Sequence, residues 1–94
     1  MDKHKDPLIA QLYKAVLQLQ SSEDCDRFFD DLCTIGEMQS LAQRLEVARM
    51  LDEGMTYSHI EEVTGASTAT ISRVKRCLHY GSDGYRTVLD RMKR

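Results

Sequence analysis

Apolar residues recur every three or four positions along most of the chain, which is the spacing of one face of an α-helix. The first apolar stripe consists of Ile9, Leu12, Val16 and Leu19. Because Pro7 suits the first turn of a helix, this stripe predicts a helix that begins there and ends near Gln20. No stretch of the sequence alternates with a period of two over the length of a strand, so we predict an all-α fold.

Two more helices are predicted in the first half of the chain. Ser22, followed by acidic residues, is typical of a helix N-terminus, and the apolar residues after it predict a second helix that ends near Cys33. Thr34 and Glu37 have the spacing of a capping box, which predicts the start of a third helix ending at Gly54. The apolar face of that helix consists of Met38, Leu41, Leu45, Ala48 and Leu51.

Three more helices complete the predicted fold. The fourth begins at Thr56 and ends at Gly65, the fifth is capped by Ser67 and ends at Gly81, and the last spans residues 85–91. Residues 56–79 have the pattern of a helix-turn-helix, because Gly65 can adopt the positive φ that ends the first helix of such a hairpin. The residues expected to pack the two helices together are Ile60, Val63, Ala66, Ile71 and Val74.

The outward face of the fifth helix is small and polar, which would let it approach the floor of the DNA major groove. Lys75 and Arg76 lie one turn later, where cations would meet phosphates. Glu61 is a point against DNA binding, because its carboxylate would face inward or toward phosphate. The predicted DNA-contacting residues are Thr56, Ser67, Thr68, Ala69, Thr70, Ser72, Lys75 and Arg76.

Length and charge support a small regulator rather than an enzyme. The 94 residues suffice for one domain, whose small core makes dimerisation favourable. Residues 1–64 carry six Lys and Arg against thirteen acidic residues, a net charge of −7, whereas residues 65–94 carry seven against two, a net charge of +5. A basic segment of this kind can meet an anionic partner. We see no nucleophile–base pairing and no phosphate-binding loop, so we expect no catalytic residues.

Cysteine content and hydropathy indicate the compartment. The three cysteines cannot all pair, no apolar run is long enough to span a bilayer, and the N-terminus lacks a secretory signal, so we expect a cytoplasmic protein with no membrane partner. The histidines and cysteines lack the spacing of a zinc site, so we expect no metal.

The stretch from Thr34 to Leu89 resembles the tryptophan repressor family, in its YerC/YecD-type branch. The resemblance is strongest over Gly65-Ala66-Ser67-Thr68-Ala69-Thr70-Ile71-Ser72-Arg73. It implies a six-helix fold over residues 1–94 and an intertwined homodimer built on the helices of residues 1–33. Each dimer would present two helix-turn-helix units to opposite halves of an operator.

The resemblance also implies an effector pocket. In the repressor, tryptophan lies between the third helix and the fifth, and Thr34, Arg44 and Arg73 occupy the positions that meet its charged groups. The alternative is that the two arginines pair with Glu46, Asp52 or phosphate. Val74 and Cys77 stand where the repressor has a glycine and a serine, and both departures argue against tryptophan itself. We therefore expect no required cofactor, but a small anionic or amino-acid effector.

Together these observations predict a homodimeric transcription regulator, expected to repress, that binds double-stranded DNA through its helix-turn-helix and responds to an effector. The alternative is a protein-interaction module that uses the hairpin and the basic C-terminal helix to bind a partner protein.

Overall fold

The computed structural model describes residues 6–94, and all of the regular structure in that range is helical. The helices are α1 (Pro7–Val16), α2 (Ser22–Leu32), α3 (Ile35–Asp52), α4 (Tyr57–Thr64), α5 (Thr68–Tyr80) and α6 (Gly84–Met92). The prediction of an all-α fold is confirmed. The first five residues of the predicted dimerisation segment 1–33 lie outside the described residues.

Helix α1 begins as predicted but is shorter. The Asp6 carboxylate accepts the backbone N–H of Leu8 at 2.8 Å, and Pro7 occupies the first turn. The helix ends at Val16, and the predicted end at Gln20 is wrong. Beyond Val16 the backbone hydrogen bonds join residues three positions apart, as in a 3₁₀ turn; the Leu19 N–H, for example, donates to the Val16 carbonyl. An apolar residue in such a turn keeps the helical spacing, which is why the stripe overestimates the helix.

Helix α2 is capped by Ser21, and the prediction that Ser22 is the cap is wrong. The backbone of Ser21 is extended, and its Oγ accepts the Asp24 N–H at 3.0 Å. The Asp24 carboxylate accepts the N–H of Gln20, the residue before the cap, at 3.1 Å. Ser21, and not Ser22, lies three residues before Asp24, which is the spacing at which a cap side chain accepts the N–H of the first turn.

The chain divides into two compact units, residues 1–35 and residues 36–94. Neither α1 nor α2 contains a buried residue. The second unit has an apolar core to which α3, α4, α5 and α6 all contribute. Its buried residues are Val47, Ala48, Met50, Ile60, Ala66, Ile71, Val74, Leu78 and Leu89.

Most of the residues predicted to pack the hairpin belong to this core, but Val63 does not. Ile60 and Ile71 are completely buried, and Ala66 and Val74 are nearly so. Val63 is 55% exposed, so its predicted packing role is wrong. Ile60 and Val63 are only three positions apart, and in a helix of two turns the core covers the first of them and not the second.

Charged groups fasten α6 to the end of α3. The Asp52 carboxylate accepts hydrogen bonds from Arg86 at 2.6 Å and from Lys93 at 2.7 Å, and only 10% of its side chain is exposed. These two cations, with Lys93 the stronger influence, hold the pKa of Asp52 below its usual value. The start and the end of α6 are therefore both tied to one residue.

Across residues 6–94, no helix combines the length and the apolar character needed to cross a membrane.

Candidate nucleic-acid interface

The turn between α4 and α5 has the backbone geometry that the sequence predicts. Gly65 lies in the left-handed region at φ 73°, and its N–H donates to the Glu61 carbonyl at 2.9 Å, which closes α4. Thr56 caps the other end of α4, where its Oγ1 accepts the His59 N–H at 3.2 Å. From α3, the Gln43 amide donates to the Thr64 carbonyl at 3.1 Å and fixes the turn to the rest of the unit.

Helix α5 has one buried side and one exposed side. Ile71, Val74 and Leu78 are buried at intervals of three and four and anchor the helix in the core. The predicted DNA contacts that lie on its exposed side are Thr68, Ala69, Ser72, Lys75 and Arg76. The core therefore fixes a helix whose outer surface carries small polar residues first and cations later.

The side chains at the start of α5 are already engaged with one another. Ser67 caps the helix by accepting the Thr70 N–H at 3.1 Å, and its hydroxyl donates to the Thr70 Oγ1 at 3.0 Å. The Thr68 hydroxyl donates to the carboxylate of Glu61 in α4. Three of the residues predicted to contact DNA thus have defined side-chain positions before any DNA is bound.

The cations of α5 lie one turn beyond these hydroxyl groups. The Lys75 ammonium sits over the ring of Tyr57, 5.6 Å from its centroid, which holds it on the hairpin surface. Arg76 is exposed and has no ion pair within residues 6–94. The two cations border an open groove of about 430 Å³ that is lined by Ser72, Lys75, Arg76, His79 and Tyr80.

A second cleft, of about 270 Å³, opens on the other side of α5 between α3 and α6. Its lining residues are Ser40, Gln43, Arg44, Thr70, Arg73, Val74, Cys77 and Tyr85. The structure brings the predicted effector residues Arg44 and Arg73 together here, along with Val74 and Cys77. Thr70, one of the predicted DNA contacts, also faces this cleft. Thr34 precedes α3 in the other unit, and its part in an effector site stays a prediction.

Sequence reasoning did not select Ser40, Gln43 or Tyr85 as site residues. Ser40 lies one turn before Arg44 on the same side of α3, so the helical period could have indicated it. Gln43 lies three positions after Ser40, and residues i, i+3 and i+4 of a helix are neighbours on one face, so the same period could have indicated it. Tyr85 comes from α6, and only the packing of α6 against α5 brings it to the cleft.

The two arginines of the cleft do not pair with the acids that the sequence offers as alternatives. Glu46 accepts bonds from Arg49 at 2.6 and 2.9 Å, and these hold the pKa of Glu46 below its usual value. Asp52 binds Arg86 and Lys93. The pairing of Arg44 or Arg73 with Glu46 or Asp52 is therefore wrong, and within residues 6–94 neither guanidinium has an ion pair.

Comparison with known proteins gives consistent results. The family model described as Trp repressor protein matches residues 8–93. The chain is 64% identical over 93 residues to the uncharacterised protein YerC of Bacillus subtilis, a match that covers 99% of this chain and 89% of that protein.

Two solved structures have the same fold. A Trp repressor candidate from Staphylococcus aureus superposes with a TM-score of 0.93 at 53% identity, covering 98% of this chain and 92% of its own. A TrpR-like protein from Eubacterium eligens gives a TM-score of 0.94 at 52% identity, covering 99% and 96%. The chain therefore belongs to the Trp repressor family, and its fold is that of DNA-binding proteins that regulate transcription.

Proposed function

We propose that the protein is a transcription regulator that binds duplex DNA sequence-specifically, as a homodimer, with α5 in the major groove. The observation that carries this proposal is the two-sided character of α5. Three buried residues fix the helix in the core, while its outer side presents small polar residues followed by Lys75 and Arg76. Small side chains permit close approach to base edges, and exposed cations supply the bonds to phosphate that give affinity.

The proposed homodimer is supported by exposed apolar residues in α1 and at Leu17, which directly follows it. Leu8 and Leu17 are 74% and 79% exposed, and Tyr13 is 54% exposed. A helix that places so much apolar surface in water is stabilised when a partner covers it. A second copy of the chain would also supply the second reading helix that a two-fold symmetric operator requires.

The proposed effector is a small molecule that carries an anionic group, and its site is the cleft of Arg44 and Arg73. Two guanidinium groups at one cleft repel each other unless an anion lies between them, and a carboxylate accepts from both. Buried Val74 narrows the cleft beside α5, so a ligand smaller than an indole fits this site better than tryptophan does. Binding there would stabilise one position of α5, and the regulator would act sterically by occupying its operator in the cytoplasm.

The test is a selection of bound fragments from sheared genomic DNA with the purified protein at moderate salt. The proposal predicts enrichment of fragments that share a palindromic site. Recovery of no fragments at low salt would refute DNA binding and favour a protein-interaction module. Repeating the selection with added tryptophan tests the ligand, since we expect tryptophan to leave the enriched set unchanged.

A further inference from the structure

One hydrogen bond joins the two helices of the hairpin on the surface proposed to face DNA. The hydroxyl of Thr68, the first residue of α5, donates to the carboxylate of Glu61, which lies in the last two turns of α4. Thr68 is exposed and Glu61 is half-buried, and the hydrogen bond occupies the hydrogen of the Thr68 hydroxyl. Thr68 therefore has a fixed hydrogen-bonding role before any base approaches.

That role follows from the chemistry of the hydroxyl group. A threonine hydroxyl has one hydrogen to donate and two lone pairs with which to accept. Because Glu61 takes the hydrogen, the Thr68 oxygen can only accept a further bond. In the major groove cytosine presents an amino-group donor, adenine presents an amino-group donor beside its acceptor N7, and guanine and thymine present acceptor atoms without a donor. A bonded Thr68 can thus accept from the amino group of adenine or cytosine on the strand that it contacts, whereas guanine or thymine at the same place offers it no donor.

The carboxylate also changes the electrostatics at this end of α5. The N-terminus of a helix carries a partial positive charge that attracts phosphate, and the negative charge of Glu61 offsets it. The strong cations Lys75 and Arg76 lie at the other end of the exposed surface. Phosphate attraction is therefore concentrated away from Thr68, which leaves the tip of α5 to contact bases.

We infer that Glu61 is a specificity-determining residue: it fixes Thr68 as a hydrogen-bond acceptor, and the hairpin consequently selects adenine or cytosine at one position of each half-site. The inference rests on the proposed function, because it requires DNA to be bound through α5. Glu61, which on sequence alone argues against DNA binding, becomes part of the reading surface.

The experiment is a selection from randomised duplexes with the full chain and three variants. Glu61→Ala removes the acceptor and frees the Thr68 hydroxyl to donate, whereas Thr68→Val removes the hydroxyl and keeps the shape of the side chain. Glu62→Ala is the control, since it removes the same charge from the next residue of α4, which is exposed and is not bonded to Thr68. Affinities are then measured for four duplexes that differ only at the selected position.

We expect the wild-type chain to favour adenine or cytosine there by about three- to tenfold, the discrimination of one hydrogen bond. Glu61→Ala and Thr68→Val should both reduce that preference to about twofold or less, at the same position, while Glu62→Ala retains it. An unchanged preference in Glu61→Ala, or an equal loss in Glu62→Ala, would overturn the inference alone. Failure of the wild-type chain to bind any duplex would overturn the proposed function, and the inference with it.

Discussion

At the turn of the hairpin, the backbone conformation of Gly65 sets the direction in which the chain leaves α4 and enters α5. A φ of 73° is open to glycine but costs any residue with a Cβ atom, because the Cβ approaches its own carbonyl oxygen. A Cβ added at this position would meet nothing else within 4 Å, so the cost lies in the backbone alone.

Gly65→Ala should therefore lower the free energy of unfolding by about 1 kcal/mol, measured by urea denaturation. Gly36→Ala is the matched control, because Gly36 lies in the first turn of α3 without a positive φ and also has open space around it. Because alanine forms helices better than glycine does, Gly36→Ala should raise the free energy of unfolding slightly. Equal effects of the two substitutions would show that the left-handed turn contributes nothing.

Asp52 gives the stability of the protein a defined pH dependence. Its pKa in the folded chain lies below the usual 3.8, so the unfolded chain binds the proton more readily. The stabilisation by Asp52 is thus complete above about pH 5 and is lost as the pH falls through 3.8 and then through the lower folded value.

Asp52→Asn should lower the urea midpoint at pH 7, and its difference from the wild-type chain should shrink as the pH falls below about 4. Asp90→Asn is the control, because Asp90 is more exposed and lies 3.8 Å from Arg86, a weaker interaction. A difference that stays constant down to pH 3 would contradict the assigned role of Asp52.

At the scale of the helices, the sequence predicts where chemistry is local and fails where packing decides. Capping and turn residues follow local rules, so Thr56, Gly65 and Ser67 all have the predicted positions. The cap of α2 is also set by local chemistry, because Ser21 and not Ser22 lies three residues before Asp24. The exposure of Val63, in contrast, depends on how the other helices cover α4. Similarly, the helical period places Thr70 on α5 but does not say which neighbouring element it faces.

Because the cleft and the outer groove lie on different sides of α5, we predict that substitutions can change the response to a ligand without changing DNA affinity, and the reverse. Arg73 lines the cleft of Arg44, whereas Arg76 borders the outer groove. Arg73→Ala should thus abolish the thermal stabilisation produced by a small carboxylate ligand and reduce DNA affinity by less than about threefold. Arg76→Ala is the control: it should weaken DNA binding and leave the thermal stabilisation by the ligand unchanged. If Arg73→Ala weakens DNA binding as much as Arg76→Ala does, Arg73 is a DNA contact and the cleft is not an effector site.

At the scale of the whole molecule, the division of charge matches the proposed arrangement. The acidic residues concentrate in the first two thirds of the chain, and the excess of cations lies in residues 65–94, which include α5. A modest overall charge of −2 therefore coexists with a basic segment, because a local potential and not the total charge determines the attraction of an anionic partner.

The exposed apolar surface of α1 and of Leu17, which directly follows it, predicts the state of assembly. Light scattering at micromolar concentration should give about twice the 10.8 kDa of one chain. Leu8→Lys with Leu17→Lys should shift the mass toward the monomer, because charged side chains oppose burial of that surface. Lys14→Ala, which changes an exposed polar position of the same helix, is the control. A wild-type chain that is monomeric would refute the proposed homodimer.

The central claim, that the outer side of α5 contacts duplex DNA, is tested most directly by the salt dependence of binding to a selected duplex. Lys75→Ala with Arg76→Ala should weaken binding and flatten the slope of log affinity against log salt by about one for each phosphate that the variant leaves without a cation. The control, Lys14→Ala with Arg94→Ala, also removes one Lys and one Arg but leaves the hairpin intact. A slope that is unchanged in the hairpin variant, or equally changed in the control, would contradict the account.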